Sequence, residues 1–227
     1  MNILIVGGSS GIGASVAYHA IEAGHQITLL GRKTPSHAAY HHFFEFDVTR
    51  DEPLPDEIQS IDHLIYCPGS IRLKPFHRLS QEDFLNDWQI NFLGAVKILQ
   101  KAFPLLKNGT NPSVLLFSSV AAQTGMNFHA SIAAAKAAVE GLTLSLAAEW
   151  APTIRVNAIA PSLHHTPLAA SLLNSPEKEM AAAKRHPLQR IGDPNHVAQL
   201  VLFLLSPGAN FITGQILKAD GGLSSLR

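Results

Sequence analysis

Near the N-terminus the chain reads Gly7-Gly8-Ser9-Ser10-Gly11-Ile12-Gly13, directly after the apolar run Ile3-Leu4-Ile5-Val6 and directly before a helical pattern. A pyrophosphate lying on a helix N-terminus needs close backbone approach, which only residues without side-chain bulk permit. The strand–turn–helix setting sets this apart from an ordinary tight turn. It predicts a dinucleotide cradled by Gly7, Ser9, Ser10, Gly11, Ile12 and Gly13. The next strand closes on Gly31-Arg32-Lys33. An acidic side chain there would accept from ribose hydroxyls, whereas two cations suit a 2′-phosphate, so NADP(H) is expected over NAD(H). The plain alternative for Arg32 and Lys33 is a solvated basic loop.

These residues need a scaffold that brings strand ends to one edge. Short apolar runs at 3–6, 26–30, 43–46, 64–66, 114–117, 155–159 and 211–217 read as strands. Helical patterns lie between them. Ile12, Val16, Ala17, Ala20 and Ile21 share one face before Gly24. Ser80-Gln81-Glu82-Asp83 resembles a capping box opening a long helix that breaks near Pro104. An alanine-rich helix covers 131–150, shorter pieces lie near 168–173 and 177–184, and Asp193-Pro194 opens the last helix. Strand–helix alternation of this kind predicts an α/β fold, a doubly wound parallel sheet with helices on both faces. No repeat or linker interrupts residues 1–227, so a single domain is expected.

Composition narrows the function classes. The chain has 227 residues, 46% hydrophobic and 15% charged, with seventeen Lys+Arg against seventeen Asp+Glu. A zero net charge gives no general pull toward nucleic acid or anionic membrane, and neither is an expected partner. The low charged fraction points to surface covered in a homo-oligomer. A single cysteine, Cys67, excludes an intrachain disulfide and a multi-cysteine zinc site, which fits a cytoplasmic location. The run at 3–6 passes straight into glycine without a basic flank, so it is expected to be a strand and not a signal peptide. His37, His41 and His42 have helix-like spacing but lack a clear carboxylate partner, and no metal site is expected.

Nearly end to end, the chain resembles the short-chain dehydrogenase/reductase family, whose members have a Rossmann-type sheet. Gly7-x-x-x-Gly11-x-Gly13 matches the family's glycine loop, with Val6 where threonine is usual. The resemblance implies that Asp47 and Val48 contact the adenine. Cys67-Pro68-Gly69 stands where the family has N-A-G, Asn91 matches the mid-helix asparagine of its proton relay, and Ser119 aligns with its catalytic serine. Pro161-Ser162-Leu163-His164-His165-Thr166 looks like the P-G-x-x-x-T segment that holds the nicotinamide carboxamide, with Ser162 replacing the glycine. Segment 162–190 should then cover a small-molecule carbonyl or alcohol substrate. The alanine-rich helix should pack against its mate in a homodimer or homotetramer.

One position departs from the family signature Y-x-x-x-K. Lys136 is present, but the tyrosine position is Ile132, and the chain's only tyrosines are Tyr18, Tyr40 and Tyr66. In the family, hydride moves between nicotinamide C4 and the carbonyl carbon while the phenol protonates the oxygen. Isoleucine has no proton to give, and a positioned acid is worth about 10²–10⁴-fold. Lys136 keeps its ribose-holding role regardless. The expected function is an NADP(H)-dependent oxidoreductase with a substitute proton donor: His129, His164, the substrate or water. For both histidines the alternative is an ordinary loop residue. Two further readings stay open: a cofactor-binding protein without turnover, and non-redox chemistry on the same scaffold.

Overall fold

The computed structural model describes residues 1–35 and 40–226. His37 therefore lies outside the described residues. Within the described residues seven strands form one parallel sheet: β1 (Asn2–Val6), β2 (Gln26–Gly31), β3 (His42–Glu45), β4 (His63–Tyr66), β5 (Ser113–Phe117), β6 (Arg155–Pro161) and β7 (Ile216–Ala219). Their spatial order is β3-β2-β1-β4-β5-β6-β7. The order reverses between β1 and β4, and open parallel sheets bind ligands at such a switch point.

Among the described residues six α-helices cover the sheet: α1 (Gly11–Glu22), α2 (Gln81–Trp88), α3 (Gly94–Lys107), α4 (Ala130–Trp150), α5 (Pro176–Lys184) and α6 (Pro194–Leu205). Side chains alternate across each strand, so the apolar strands feed two cores at once. Ile3, Ile5, Ile27 and Leu29 pack with Val16, Ala17 and Ala20 of α1 and Val197, Ala198 and Val201 of α6. Leu4, Val6, Leu30 and Leu64 pack on the opposite face with Ile98, Leu99 and Ala102 of α3 and Val139 and Ala147 of α4. Helix α4 is long and apolar enough to cross a membrane by composition, with Ile132, Ala135, Val139 and Ala147 buried inside the protein.

Two sequence-based expectations need correction. Pro104 does not end its helix, since α3 runs on to Lys107. A proline in a helix interior forfeits the bond to the carbonyl four residues back, and here that carbonyl belongs to exposed Gln100. The irregularity falls earlier, where a π turn at Gln89–Leu93 joins α2 to α3. The last strand is also shorter and later than 211–217. Phe211 is fully exposed in a turn, and pairing begins at Ile216.

Register sets the site. Val6 pairs with Leu30 on one side and Tyr66 on the other, and Tyr66 pairs with Leu116. The carboxyl ends of four strands are therefore level, and the residues that follow them (Gly7, Arg32, Cys67 and Ser118) emerge along one edge.

Candidate active site

Gly7 and Gly11 adopt left-handed backbone, with φ of 77° and 57°. Side-chain-bearing residues rarely take that conformation. A Cβ on Gly13 would lie 2.6 Å from the Gly7 carbonyl oxygen and 3.0 Å from the Gly8 Cα. The loop therefore folds down onto its own helix only because Gly13 has no side chain. Ser10, the N-cap of α1, is fully extended and gives the helix no side-chain cap. The first-turn amides are left for another acceptor, with the positive end of the helix dipole behind them. Arg32 and Lys33, both exposed, stand beside this crevice at the end of β2. Asp47, beyond β3, is held below the usual carboxylate range, first by the Thr49 amide and also by the nearby Arg32 and Arg50 charges.

Thr166 comes down from the segment after β6, and its side chain is 3.3 Å from where a Gly11 Cβ would be. The segment is pinned by Ser162, whose amide donates to the Ala219 carbonyl and whose hydroxyl meets His186 Nε2 at 2.9 Å. In the sequence Ser162 is only a departure from glycine. The structure gives it a partner twenty-four residues away, which no local spacing could signal. Together, the uncapped helix, the glycine cradle and the cations at 32–33 fit a nicotinamide dinucleotide.

Deeper along the edge, Gly69 faces both Asn91 and Lys136. A Cβ there would lie 3.4 Å from Asn91 Oδ1 and 3.8 Å from Lys136 Nζ. Lys136 is 8% exposed, and its Nζ donates to the Phe117 carbonyl at 2.8 Å. Burial pushes its ammonium down to about 8, opposed by Cys67 and Asp87. Burial also pushes the Cys67 thiol up to about 12, so it is a packed strand-end residue and no thiolate nucleophile. Asn91 holds the π turn by donating from Nδ2 to the Asp87 carbonyl at 2.8 Å and to Ser70 Oγ at 2.8 Å. Tyr66 donates to the Ile90 carbonyl in the same turn, at 2.6 Å. Its phenol is buried there and raised well above its usual range, while Tyr18 is exposed on α1 and Tyr40 packs on Phe43. None of the three phenols stands in for the absent one.

Ser119 follows β5, caps a short 3₁₀ turn by accepting from the Ala121 amide at 3.2 Å, and is half-buried. Its neighbour Ser118 is committed to α4, donating to Glu140 at 2.6 Å. Ile132 is buried at the start of α4. Ser131 faces away, donating to the Asp83 carbonyl of α2 at 3.3 Å.

Each of the two candidate histidines has a local partner. His129 turns back to the Asn127 carbonyl at 2.7 Å. His164 is buried with its ring against Gly192 and its Nδ1 near the Ser162 carbonyl. Its burial lowers its affinity for a proton. It lines a cavity of about 370 Å³ together with His186, His196 and Lys218. Ser119, Ile132 and Lys136 are not part of that lining. His41, far from either place, takes the Ile27 amide on Nδ1. Among the described residues no group of three or more metal-ligating side chains comes together.

A residue absent from the sequence reading completes the site. Asp87 lies one helical turn before Asn91, is 1% exposed, and accepts from Ser70 Oγ through Oδ1 at 2.5 Å. Its Oδ2 and Arg155 Nε are the buried side-chain polar atoms without a partner among the described residues. The i, i+4 spacing from Asn91 was the available signal.

Comparison with known proteins agrees with this fold. The family model described as enoyl-(acyl carrier protein) reductase matches residues 6–224. A tropinone reductase homologue of Arabidopsis thaliana is 34% identical over 99% of this chain and 93% of its own length. The ligand-free aldohexose dehydrogenase of Thermoplasma acidophilum superposes with a TM-score of 0.90 at 32% identity, covering 98% of this chain and 93% of that one. ElxO with NADP bound superposes with a TM-score of 0.89 at 26% identity, covering 99% and 98%. The chain belongs to the short-chain dehydrogenase/reductase family, a family of oxidoreductases that bind nicotinamide cofactors.

Proposed function

We propose that the protein is an NADP(H)-dependent oxidoreductase that interconverts a carbonyl and an alcohol, with a proton donor other than tyrosine. The observation that carries the reading is the convergence of Asn91, Lys136 and Gly69 at the strand edge that also bears the uncapped α1 N-terminus. A bound nicotinamide would supply or accept hydride. The chain's own residues do the rest. The glycine loop and α1 amides hold the pyrophosphate, Asp47 and Val48 flank the adenine, and Arg32 and Lys33 select the 2′-phosphate. Pro68, Pro161, Leu163 and Thr166 border the nicotinamide end. Ser119 keeps its hydroxyl proton free to orient the carbonyl oxygen, since it accepts, and does not donate, in its bond with the Ala121 amide.

The chain works as one domain in the cytoplasm, with segment 162–190 over the substrate. It assembles as a homodimer or homotetramer through the small outer face of α4, where Ala134, Ala137, Gly141 and Ala148 are exposed beside Leu144. A carbonyl panel followed by NADPH absorbance, with Ser119→Ala alongside, tests the function. Turnover that Ser119→Ala lowers by about 10²-fold or more supports it. Saturable NADPH binding with no turnover anywhere in the panel would instead favour a cofactor-binding protein, the reading to which Ile132 lends weight.

A further inference from the structure

A carboxylate buried at the 1% level with one oxygen unpartnered is expensive to keep and unneeded for helix formation. Asp87 sits at this cost inside the network that carries Lys136. Its Oδ1 takes the Ser70 hydroxyl, Ser70 Oγ takes Asn91 Nδ2, and Asn91 Oδ1 and Lys136 Nζ both border the space above Gly69. The charges around it are few. The Asp87 charge is felt by Arg72 and Lys136, and Arg72 is engaged by Asp83 at 2.6 Å, as is Lys74 at 2.8 Å. Lys136 in turn feels Asp87 and Cys67, both of which favour its charged form. Glu140, one turn along α4, is turned to Ser118 and Gln123. Lys136 is thus the cation left to answer Asp87. An ammonium has three protons to donate, and a single bond, to the Phe117 carbonyl, uses one of them.

We propose that Asp87 is a positioning residue that holds Lys136 in its charged form, and that Lys136, in place of the missing phenol, gives the proton to the substrate oxygen. The inference rests on the oxidoreductase reading above. Hydride addition from the reduced cofactor to the carbonyl carbon moves the C=O π pair onto oxygen. One N–H bond of Lys136 then breaks as the O–H bond of the alcohol forms, leaving a neutral amine. Water returns the proton, and the Asp87 carboxylate favours the regenerated ammonium. The opposite direction runs through the same atoms. An ammonium that titrates near neutrality suits this task better than an ordinary lysine, because it can be lost and regained in each turnover.

The test is an NMR titration of protein labelled at lysine and aspartate, without cofactor, the Lys136 and Asp87 signals being assigned by their loss in Lys136→Met and Asp87→Asn. In the wild-type chain the Asp87 carboxyl signal should inflect at the pH where Lys136 titrates, a measurement that needs no variant to fold. Asp87→Asn should lower the Lys136 midpoint by about one pH unit, the low end for a lost opposite charge. It should move the alkaline limb of the turnover profile down by a similar amount. An Asp87 signal silent through the Lys136 transition, or a midpoint unmoved in folded Asp87→Asn, would overturn the proposal. Turnover whose profile ignores Asp87→Asn would overturn the donor role alone. Absence of turnover in the wild-type chain would overturn the oxidoreductase reading, and the donor role with it.

Discussion

Replacing Lys136 with methionine should remove a pH dependence of stability that no surface lysine could produce. The side chain is 8% exposed, and burial lowers its ammonium from an ordinary 10.5 to about 8. Below pH 8 both folded and unfolded chains carry the charge, and the folded state bears the whole desolvation cost. Between pH 8 and 10.5 the unfolded chain holds a proton that the folded chain has released, so stability rises with pH. Above 10.5 both are neutral. At about 1.4 kcal/mol per pH unit, the gap amounts to about 3 kcal/mol. Urea unfolding of both proteins from pH 7 to 11 isolates the effect, because every other group titrates in each. The wild type should gain about 3 kcal/mol relative to Lys136→Met across that window. A difference that stays flat, or falls as pH rises, would refute the buried, desolvated placement of Lys136.

Three further outcomes follow from the same geometry. Arg32→Ala should weaken NADPH about tenfold and leave NADH unchanged, the low end for one hydrogen bond to a charged group at an exposed site. Equal weakening of the two, by calorimetry, would sink the 2′-phosphate assignment. Gly13→Ala places a methyl 2.6 Å from a backbone oxygen that cannot yield. It should cost about 1–3 kcal/mol and lower Tm by roughly 2–12 °C in a thermal scan, with both coenzymes bound more weakly. Ile132→Tyr restores a phenol at the family position and should raise kcat by less than about 10²-fold, because Lys136 already supplies a proton, while His129→Ala and His164→Ala leave it within about twofold. A loss on either histidine substitution would reinstate that histidine as the acid.

The fold was legible because its signals are local and repeated. Apolar runs of strand length alternate with helical faces, and the glycine loop announces its own conformation through φ values that glycine alone accepts readily. The capping box at Ser80 and Asp83 formed as its spacing suggests, with both reciprocal bonds present. Boundaries failed where solvent exposure decided the matter. Phe211 looked like strand but is exposed, and Pro104 looked like a stop but removes one bond on a wetted side. At the site, Lys136, Asn91 and Gly69 could be placed because their motifs resemble the family's, with Lys136 on α4, Asn91 in the π turn between α2 and α3, and Gly69 just beyond β4. His164 could not. Its neighbourhood in the sequence suggests the nicotinamide side, yet the bridge between His164 and Gly192 carries its ring to a different cavity. Asp87 escaped notice because an aspartate in a helix ordinarily faces water. Only the packing of α2 against α4 reveals it as buried.

The central claim is that the amides opening α1 and the glycines before them hold a pyridine dinucleotide. Isothermal calorimetry of the purified chain with NADPH and with NADH tests it most directly. The account predicts saturable heat at one site per chain, with NADPH the tighter ligand. No heat from either coenzyme at concentrations on the order of 1 mM would contradict it.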